Sequence, residues 1–380
     1  MKRNLCIGST LIALIVALGV GQSVLERQAT AQAAAKVQVP RFEVDPTFPK
    51  PLPNHWYQGM SIGVGVDAND HIWIVHRPDS VNPNEAAEDA KTGTCCAKAP
   101  PILEFDQQGT LLRHWGGSDG DGYQWPGSNH GVTIDHKGNV WIGGNGGAND
   151  GHILKFTQDG KFLMMVGKKG VPIDSNSQEH FGMVAKISID AKENEAYISD
   201  GYGNKRVVVF DKTGKFLRQW GRQGTTAEAA AGVGGAFVNI VHCVVLGNDG
   251  LVYVCDRNGD RVQVFDKMGA FKRSIPIPLV FRAPYTGNGT AGSLALSRDA
   301  AQKYMYIGDF SDKLIRVFDR VSGKELSQFG RPGSHQSGGL ASPHGIAVDS
   351  KGNVYVAESL DGRRVQRFKP VSGGTATAAR

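Results

Sequence analysis

The sequence has few charged side chains and no cluster of basic ones. Asp, Glu, Lys and Arg make up 21% of its 380 residues, and the formal net charge is +6. The basic residues are spread along the chain, so the sequence lacks the patch that would bind a phosphate backbone. Fifty glycines accompany this low charge, a composition that suits tight turns and buried sheet faces rather than helices or disorder. We therefore expect an all-β protein that does not bind nucleic acid.

Cysteines are also few, and the sequence leaves their state open. Of the five, Cys6 lies in the N-terminal segment. Cys243 and Cys255 fall on adjacent predicted strands, where they form either a cross-strand disulfide or two buried thiols. Cys95 and Cys96 are neighbours in the chain and form a vicinal disulfide, a pair of metal ligands or a rigid loop.

The first 33 residues have the pattern of a signal peptide. A short basic start, Met1–Asn4, precedes the apolar run Leu5–Val20, and Ala31–Ala33 fits a small-x-small cleavage site. The alternative is a leader that is retained as a membrane anchor. We expect cleavage and export to the periplasm or the medium, with no stable membrane insertion of the mature chain.

One unit recurs six times along the rest of the chain. Each copy alternates apolar and polar residues in short segments separated by Gly, Asn or Asp turns, which predicts antiparallel strands. The fourth copy shows the segments Val244–Leu246, Leu251–Cys255, Arg261–Phe265 and Phe271–Ile275. Successive copies start roughly 50 to 70 residues apart, near the four-strand blade length of a β-propeller. The longest interval contains an insertion at about 78–100. We predict a six-bladed ring; a solenoid is the alternative.

The sixth copy lacks a fourth strand, because its third one ends at Phe368 and a Gly/Thr/Ala tail follows. The segment Val37–Val44, ahead of the first copy, has strand pattern. Pairing it with the last blade closes the ring and removes exposed strand edges. We therefore predict one propeller over residues 34–370, completed by this N-terminal strand, and a flexible tail over 371–380.

Histidine occupies one position of the first strand in every second copy. From the first copy to the sixth, this position reads Ile62, His130, Ala185, His242, Gly292, His344. Alternate blades of a six-bladed ring stand about 120° apart, so three imidazoles would converge on the axis. Three neutral imidazoles with an open fourth position are typical of a catalytic zinc site. A single histidine at a strand start is usually an ordinary capped or solvated residue, so the prediction depends on the shared position.

The same rim of the ring carries further polar groups. In a hairpin, the start of the first strand lies beside the end of the second, so Arg77, Tyr202 and Arg257 should share a rim with the histidines. An acidic residue also recurs at the ends of the second strands, where we expect it to bind loop backbone; its copies are Asp200, Asp256, Asp309 and Glu358. The alternative for the two arginines is that they pair with these carboxylates.

These residues carry a family resemblance. The segments Tyr197–Gly214 and Tyr253–Gly269 resemble NHL repeats, and the run from His130 to Phe368 resembles the lyase domain of peptidylglycine α-amidating enzymes, the peptidyl-α-hydroxyglycine α-amidating lyase. The stretches that match are Asn129–Asp135, Tyr197–Asn204, Asp256–Arg261, Pro343–Gly345 and Val75–Arg77. The resemblance implies an NHL-repeat propeller that acts as a carbon–nitrogen lyase. Such an enzyme would cleave an α-hydroxyglycine-type substrate to an amide and glyoxylate.

The resemblance also implies roles for individual residues. The family's equivalents of His130, His242 and His344 hold zinc, that of Tyr202 is the proposed base, and those of Arg77 and Arg257 flank the substrate. Two positions depart from the family: Ser342 replaces a methionine, and Gly345 replaces an aspartate that helps to bind a structural calcium. The family's disulfide cysteines have no counterparts here. Zinc and the base therefore carry over well, whereas a structural calcium and the exact substrate carry over poorly.

We accordingly expect a monomeric, exported zinc lyase that binds a small-molecule or peptide substrate. One alternative is a non-catalytic NHL propeller that binds a peptide, a glycan or a partner protein. Another is a lactonase of the calcium-propeller kind, which needs a carboxylate-rich axial site. The axial positions hold His, Ile, Ala and Gly, and this argues against the lactonase.

Overall fold

The computed structural model describes residues 39–146, 150–280, 288–333 and 336–371. The predicted signal peptide at 1–33 and all but the first residue of the predicted tail lie outside these ranges. That first residue, Val371, belongs to a strand, so the propeller ends one residue later than predicted. No helix among the described residues is long and apolar enough to span a membrane.

Six antiparallel four-stranded sheets make up the described chain. From the inner to the outer strand, blades one to three are Met60–Val66, Ile72–Arg77, Ile102–Phe105, Leu111–Trp115; Asn129–Ile134, Val140–Gly144, His152–Phe156, Phe162–Gly167; and Val184–Ile189, Ala196–Asp200, Arg206–Phe210, Phe216–Trp220. Blades four to six are Val241–Leu246, Leu251–Asp256, Arg261–Asp266, Phe271–Pro276; Ser293–Leu296, Tyr304–Asp309, Leu314–Asp319, Glu325–Phe329; and Pro343–Val348, Val354–Glu358, Arg364–Val371, Arg41–Asp45.

The connections contain only short elements. Three two-stranded parallel pairs join Trp56–Tyr57 to Ala97–Lys98, Arg222–Gln223 to Ala236–Phe237, and Arg331–Pro332 to Gly339–Leu340. Among the described residues, the helical segments are an α-helix and two 3₁₀ turns, at Thr226–Ala230, Pro78–Ser80 and Arg257–Gly259. The all-β prediction is therefore confirmed, and the helical turns lie outside the blades.

The sheets form a closed ring. The first strand of each blade contacts the first strands of both neighbouring blades, including the sixth with the first. Six separate hydrophobic clusters fill the ring, and each lies between two adjacent blades. Apolar residues on both faces of the middle strands explain this arrangement, because each sheet is buried between two others. The predicted six-bladed propeller is confirmed.

Ring closure also follows the prediction, with a small shift in position. The N-terminal strand is Arg41–Asp45, and it pairs antiparallel with Arg364–Val371 as the outer strand of blade six. The predicted segment began at Val37, and residues 37 and 38 lie outside the described ranges. Phe42 packs on Phe329 of blade five with ring centroids 4.4 Å apart, and Asp45 forms an ion pair with Arg367. The strand thus contributes packing and charge pairing as well as backbone hydrogen bonds.

This geometry gives a matched stability test. Phe42 and Val44 face the core, whereas Arg41 and Glu43 are exposed on the same strand. We expect the double variant Phe42→Ser, Val44→Ser to lower the thermal midpoint by roughly 10 °C and to promote aggregation, because lost burial and a loosened edge act together. The variant Glu43→Ser should melt close to wild type. Equal midpoints for the two variants in calorimetry would show that the ring does not depend on this strand.

Candidate metal centre and its rim

Three imidazoles meet at the axis of the ring. The ring centroids of His130, His242 and His344 are 4.7 to 5.2 Å apart, and one ring nitrogen of each lies within 4.8 Å of the others. All three side chains are buried. They line a small axial cavity together with residues from all six blades. The structure therefore brings together the three residues that the repeat pattern singled out.

A break in the strand register accompanies each histidine. In blades four and six, the pairing with the second strand skips the histidine itself, so His242 and His344 are extra residues in their strands. In blade two the shift falls just after His130, at Gly131, which has φ of 68°. A Cβ atom at Gly131 would lie 2.6 Å from the Ala185 oxygen. Bulges of this kind re-aim a side chain out of the regular pleat, here toward the axis.

Each imidazole is held by the blade that follows it. The Nδ1 atom of His130 donates to the Ala185 carbonyl at 2.7 Å, and Nδ1 of His344 donates to the Ile62 carbonyl at 2.7 Å. His242 makes the same bond to Gly292. The acceptors are the three axial positions that lack histidine. A carbonyl can only accept, so each Nδ1 carries the proton and each Nε2 presents a lone pair, as in metal-binding histidines.

Burial keeps these imidazoles neutral. It lowers the pKa of His130 and of His242 well below the usual range, and the neighbouring imidazoles and guanidiniums act in the same direction. The pKa of His344 falls to about 3 for the same principal reason. At neutral pH all three are therefore in the form that binds a metal, and binding would not have to displace a proton.

Tyr202 places its hydroxyl beside this cluster. The hydroxyl oxygen lies 2.8 Å from Nε2 of His130 and 3.0 Å from Nε2 of His242. Side-chain hydrogen bonds from Arg257 and Asn145 also reach it. Burial raises the pKa of Tyr202, and the two guanidiniums only partly oppose this effect. Arg77 and Arg257 thus favour the Tyr202 anion, but burial outweighs them in the protein alone.

The two arginines frame the same space. Arg77 donates from Nε to the Asn129 carbonyl at 3.1 Å and from Nη2 to Oδ1 of Asn145 at 2.5 Å. The guanidinium of Arg257 lies 5.6 Å above the ring of Phe310. Within the described ranges, neither arginine forms an ion pair with a carboxylate. Both therefore remain available to an anionic ligand.

The recurring acidic residues have a structural role, as predicted. Asp200, for example, accepts the Gly182 amide at 2.7 Å and Nε of Arg206 at 2.8 Å. Glu358 repeats this pattern with the Ala341 amide and Arg364. An arginine at or near the start of the third strand takes up the carboxylate in each of these blades and was not predicted; its copies are Arg206, Arg261, Arg316 and Arg364. These buried pairs hold the loops that carry Tyr202 and Arg257.

Two further rim residues were not predicted. Asn145 follows the second strand of blade two and contacts both Arg77 and Tyr202. Phe310 follows the second strand of blade five, and its ring lies 5.5 Å from that of His344. Both occupy the position after the second strand that singled out Arg77 and Arg257. Asparagine and phenylalanine are common in loops and cores, so their residue types gave no signal.

Nothing in the geometry adds support for calcium near Gly345. A Cβ atom at this position would approach Gly63 Cα and Val64 N to 3.1 Å, so an aspartate would require the neighbouring strand to move. Among the described residues, the other cluster of metal-binding types is Asp67, His71 and Glu104. Its groups bond one another and Arg113. The calcium site stays a prediction.

Both pairs of cysteines are disulfides. Cys243 and Cys255 lie directly opposite each other on the first two strands of blade four and are bonded. Cys95 and Cys96 form a vicinal disulfide in the insertion of blade one. The alternatives of buried thiols and of a cysteine metal site do not apply to this structure.

Comparison with known proteins supports the propeller fold and identifies an NHL repeat in the chain. Residues 340–368, in blade six, match the model of the NHL repeat. A solved structure described as a streptogramin B lyase superimposes with a TM-score of 0.53 at 16% identity, over 87% of this chain and 98% of the other. At this identity the likeness shows the fold alone. The chain is a six-bladed β-propeller that carries an NHL repeat.

Curated relatives divide into two kinds. NHL repeat-containing protein 3 of Homo sapiens is 26% identical over 332 residues, which cover 84% of this chain and 83% of the relative. The Caenorhabditis elegans protein named "Probable peptidyl-alpha-hydroxyglycine alpha-amidating lyase pgal-1" is 26% identical over 310 residues, 79% of this chain and 80% of the relative. The peptidylglycine alpha-amidating monooxygenase of Rattus norvegicus is 24% identical over 307 residues, 79% of this chain but 29% of the relative. The chain is thus similar both to amidating lyases and to an NHL protein whose name states no activity.

Proposed function

We propose that the protein is an exported, zinc-dependent carbon–nitrogen lyase that cleaves α-hydroxyglycine-type substrates to an amide and glyoxylate. The observation that carries the proposal is the position of the Tyr202 oxygen, within 3.0 Å of Nε2 of two of the three histidines. A base beside a metal centre can take a proton from a hydroxyl bound there. Similarity to amidating lyases supports the same reaction.

The donor set fits zinc. Three neutral imidazoles, each fixed by a carbonyl on its other nitrogen, are the ligands of several catalytic zinc sites. His130, His242 and His344 would hold the ion. Bound there, zinc would act as a Lewis acid on an oxygen of the substrate and would favour the ionised forms of nearby groups.

The chain's own residues bind the substrate and transfer its proton. Arg77 and Arg257 bind the substrate carboxylate, for which a planar guanidinium is better suited than an ammonium group. The oxygen of Tyr202 takes the proton of the hydroxyl on the α-carbon. The C–N bond breaks as the C–O bond becomes the carbonyl of glyoxylate, and the departing amide nitrogen receives a proton, which the Tyr202 hydroxyl can return. One proton is thus transferred from the substrate hydroxyl to the product amide, and no external reductant or oxidant is needed.

Two features support export. Disulfides such as Cys243–Cys255 and Cys95–Cys96 persist in oxidising compartments and are rare in the cytosol. The sequence of residues 1–33 has the pattern of a signal peptide. We therefore place the proposed reaction in the periplasm or outside the cell.

Glyoxylate release is the direct test. Zinc-loaded protein should convert α-hydroxyhippurate to benzamide and glyoxylate in equal amounts, with a rate proportional to enzyme concentration. Metal-depleted protein and a protein-free sample are the controls. If α-hydroxyhippurate and a series of longer N-acyl α-hydroxyglycines yield no glyoxylate above the protein-free rate, the lyase proposal is wrong.

A binding propeller is the second candidate, and the match to NHL repeat-containing protein 3 over 84% of the chain favours it. In that case the histidine cluster would be a structural metal site. The two candidates differ in one measurement, because a binding module would retain zinc and release no glyoxylate.

A further inference from the structure

A cleft leads away from the candidate centre between blades one and two. It has a volume of about 680 Å³, and its lining includes Arg77 and Asn129 at the inner end. Asn129 directly precedes His130, and Arg77 contacts Asn145, which in turn bonds Tyr202. The cleft therefore begins at the rim of the metal centre. Its volume is in the range of pockets that enclose a drug-sized ligand.

The walls of this cleft are built from anchored backbone. The buried carboxylate of Asp150 accepts the amides of Gly127 and Ser128 at 2.6 and 2.9 Å. On the facing wall, Nε2 of the buried His76 donates to the Pro100 carbonyl at 2.8 Å. The indole of Trp125 donates to Asn129 at 2.8 Å. Because these walls are already fixed, a ligand that binds in the cleft would cause little loss of conformational entropy in the protein.

Three cations line the cleft. Arg77 stands at the inner end, and the ammonium groups of Lys98 and Lys169 stand on the two walls. Nζ of Lys169 donates to the Trp125 carbonyl at 2.8 Å, a neutral acceptor, and forms no ion pair within the part of the chain that the structure describes. Of the two lining carboxylates, Asp119 accepts the Trp125 amide at 2.7 Å and keeps its negative charge, so the lining carries three cations and two anions. Asp79 lies 3.5 Å from Lys98 but is 96% exposed, so an anion in the cleft can replace it at little cost.

We propose that this cleft binds the acyl part of the ligand and selects acyl chains that carry a carboxylate, which Lys98 and Lys169 recognise. The inference rests on the proposed function for the position of the glycine end, which Arg77 would hold at the inner end of the cleft. The charge selection is a property of the two lysines and can be measured without turnover.

Uncleavable acylglycines test the charge selection. We suggest measuring, by titration calorimetry on the full-length protein, the pairs acetyl-Glu-Gly and acetyl-Gln-Gly, and acetyl-Glu-Ala-Gly and acetyl-Gln-Ala-Gly. Members of a pair differ by one charge at almost constant shape. At least one Glu peptide should bind about 5-fold more tightly than its Gln partner, the scale of a partly screened ion pair. The ratio should fall toward one when the salt concentration rises.

The neighbouring lysine is the matched control. Lys168 is exposed, pairs with Glu179 and is not part of the cleft lining. We expect Lys169→Gln to abolish the preference for Glu peptides and Lys168→Gln to leave it intact. Equal affinities within both pairs for the wild-type protein, no detectable binding of any of the four peptides, or equal effects of the two variants would each overturn the inference. Because no step of this test requires turnover, its failure is distinct from the absence of glyoxylate release.

Discussion

The variant His242→Gln is expected to lose its zinc while keeping its fold. Wild-type protein should retain about one equivalent of zinc after dialysis, because three imidazoles hold the ion through fixed Nε2 atoms. Glutamine fills most of the space of histidine and avoids a cavity at the axis, so a loss of metal cannot be ascribed to collapse of the site. We expect the affinity to fall by more than about 10²-fold, since even the loss of a residue that only supports a ligand costs 10- to 100-fold.

The control for this variant is a histidine on the surface. His136 lies in an exposed turn of blade two, and His136→Gln should bind zinc like the wild type. Metal content by atomic emission and far-ultraviolet circular dichroism should be measured on both variants. A His242→Gln protein that carries one equivalent of zinc, with an unchanged affinity, would show that the metal is bound elsewhere or that this histidine is not a ligand.

The repeat pattern contained enough information to predict the ring and the convergence of the three histidines. Each interface between two blades is built from the apolar strands of both. Period-two alternation and turn residues therefore recur along the chain at nearly constant spacing. In a closed ring the first strands line the axial channel, so a position that they share lies at the same height around the axis. His130, His242 and His344 could therefore be placed together without any side-chain contact being known.

Contacts between blades were harder to predict from the sequence. The carbonyls of Ile62, Ala185 and Gly292 orient the imidazoles, but a backbone acceptor has no residue type by which it can be recognised. The bulges that aim the histidines likewise depend on local pairing rather than on one amino acid, although Gly131 is a partial signal. The cleft between blades one and two was not predicted, because its walls come from loops whose course depends on buried anchors such as Asp150 and His76.

The pKa of Tyr202 shows a further limit of what a sequence can predict. Two guanidiniums near a phenol predict a lowered pKa, and their effect has that sign. The sequence gives no measure of how much water the folded loops exclude, and this exclusion raises the pKa of Tyr202 above its usual value. A base function for Tyr202 thus requires a further positive charge at the histidine cluster, which is the place where a bound cation would stand.

Tyr202→Phe is the variant that separates chemistry from binding. It removes only the hydroxyl, and the ring can still pack against His130 and His242, whose centroids lie 4.9 and 5.6 Å from that of Tyr202. If the Tyr202 oxygen moves the substrate proton, kcat for glyoxylate release should fall at least about 10²-fold, the usual scale for a general base. Zinc content should not change, because no histidine is altered. KM should change little, because Arg77 and Arg257 remain in place to bind the carboxylate.

A second tyrosine of the same blade provides the comparison. Tyr197 is buried on the second strand of blade three, and its hydroxyl donates to Glu195 at 3.0 Å and accepts from Nη2 of Arg218 at 2.7 Å. Tyr197→Phe should lower stability by about 2 to 3 kcal/mol, as expected for two lost hydrogen bonds to charged groups, and leave kcat unchanged. A general loss of stability would lower the activity of both variants, whereas a loss of the base would affect Tyr202→Phe alone. Wild-type kcat in Tyr202→Phe would exclude this tyrosine as the base and leave proton transfer to a group bound at the three histidines.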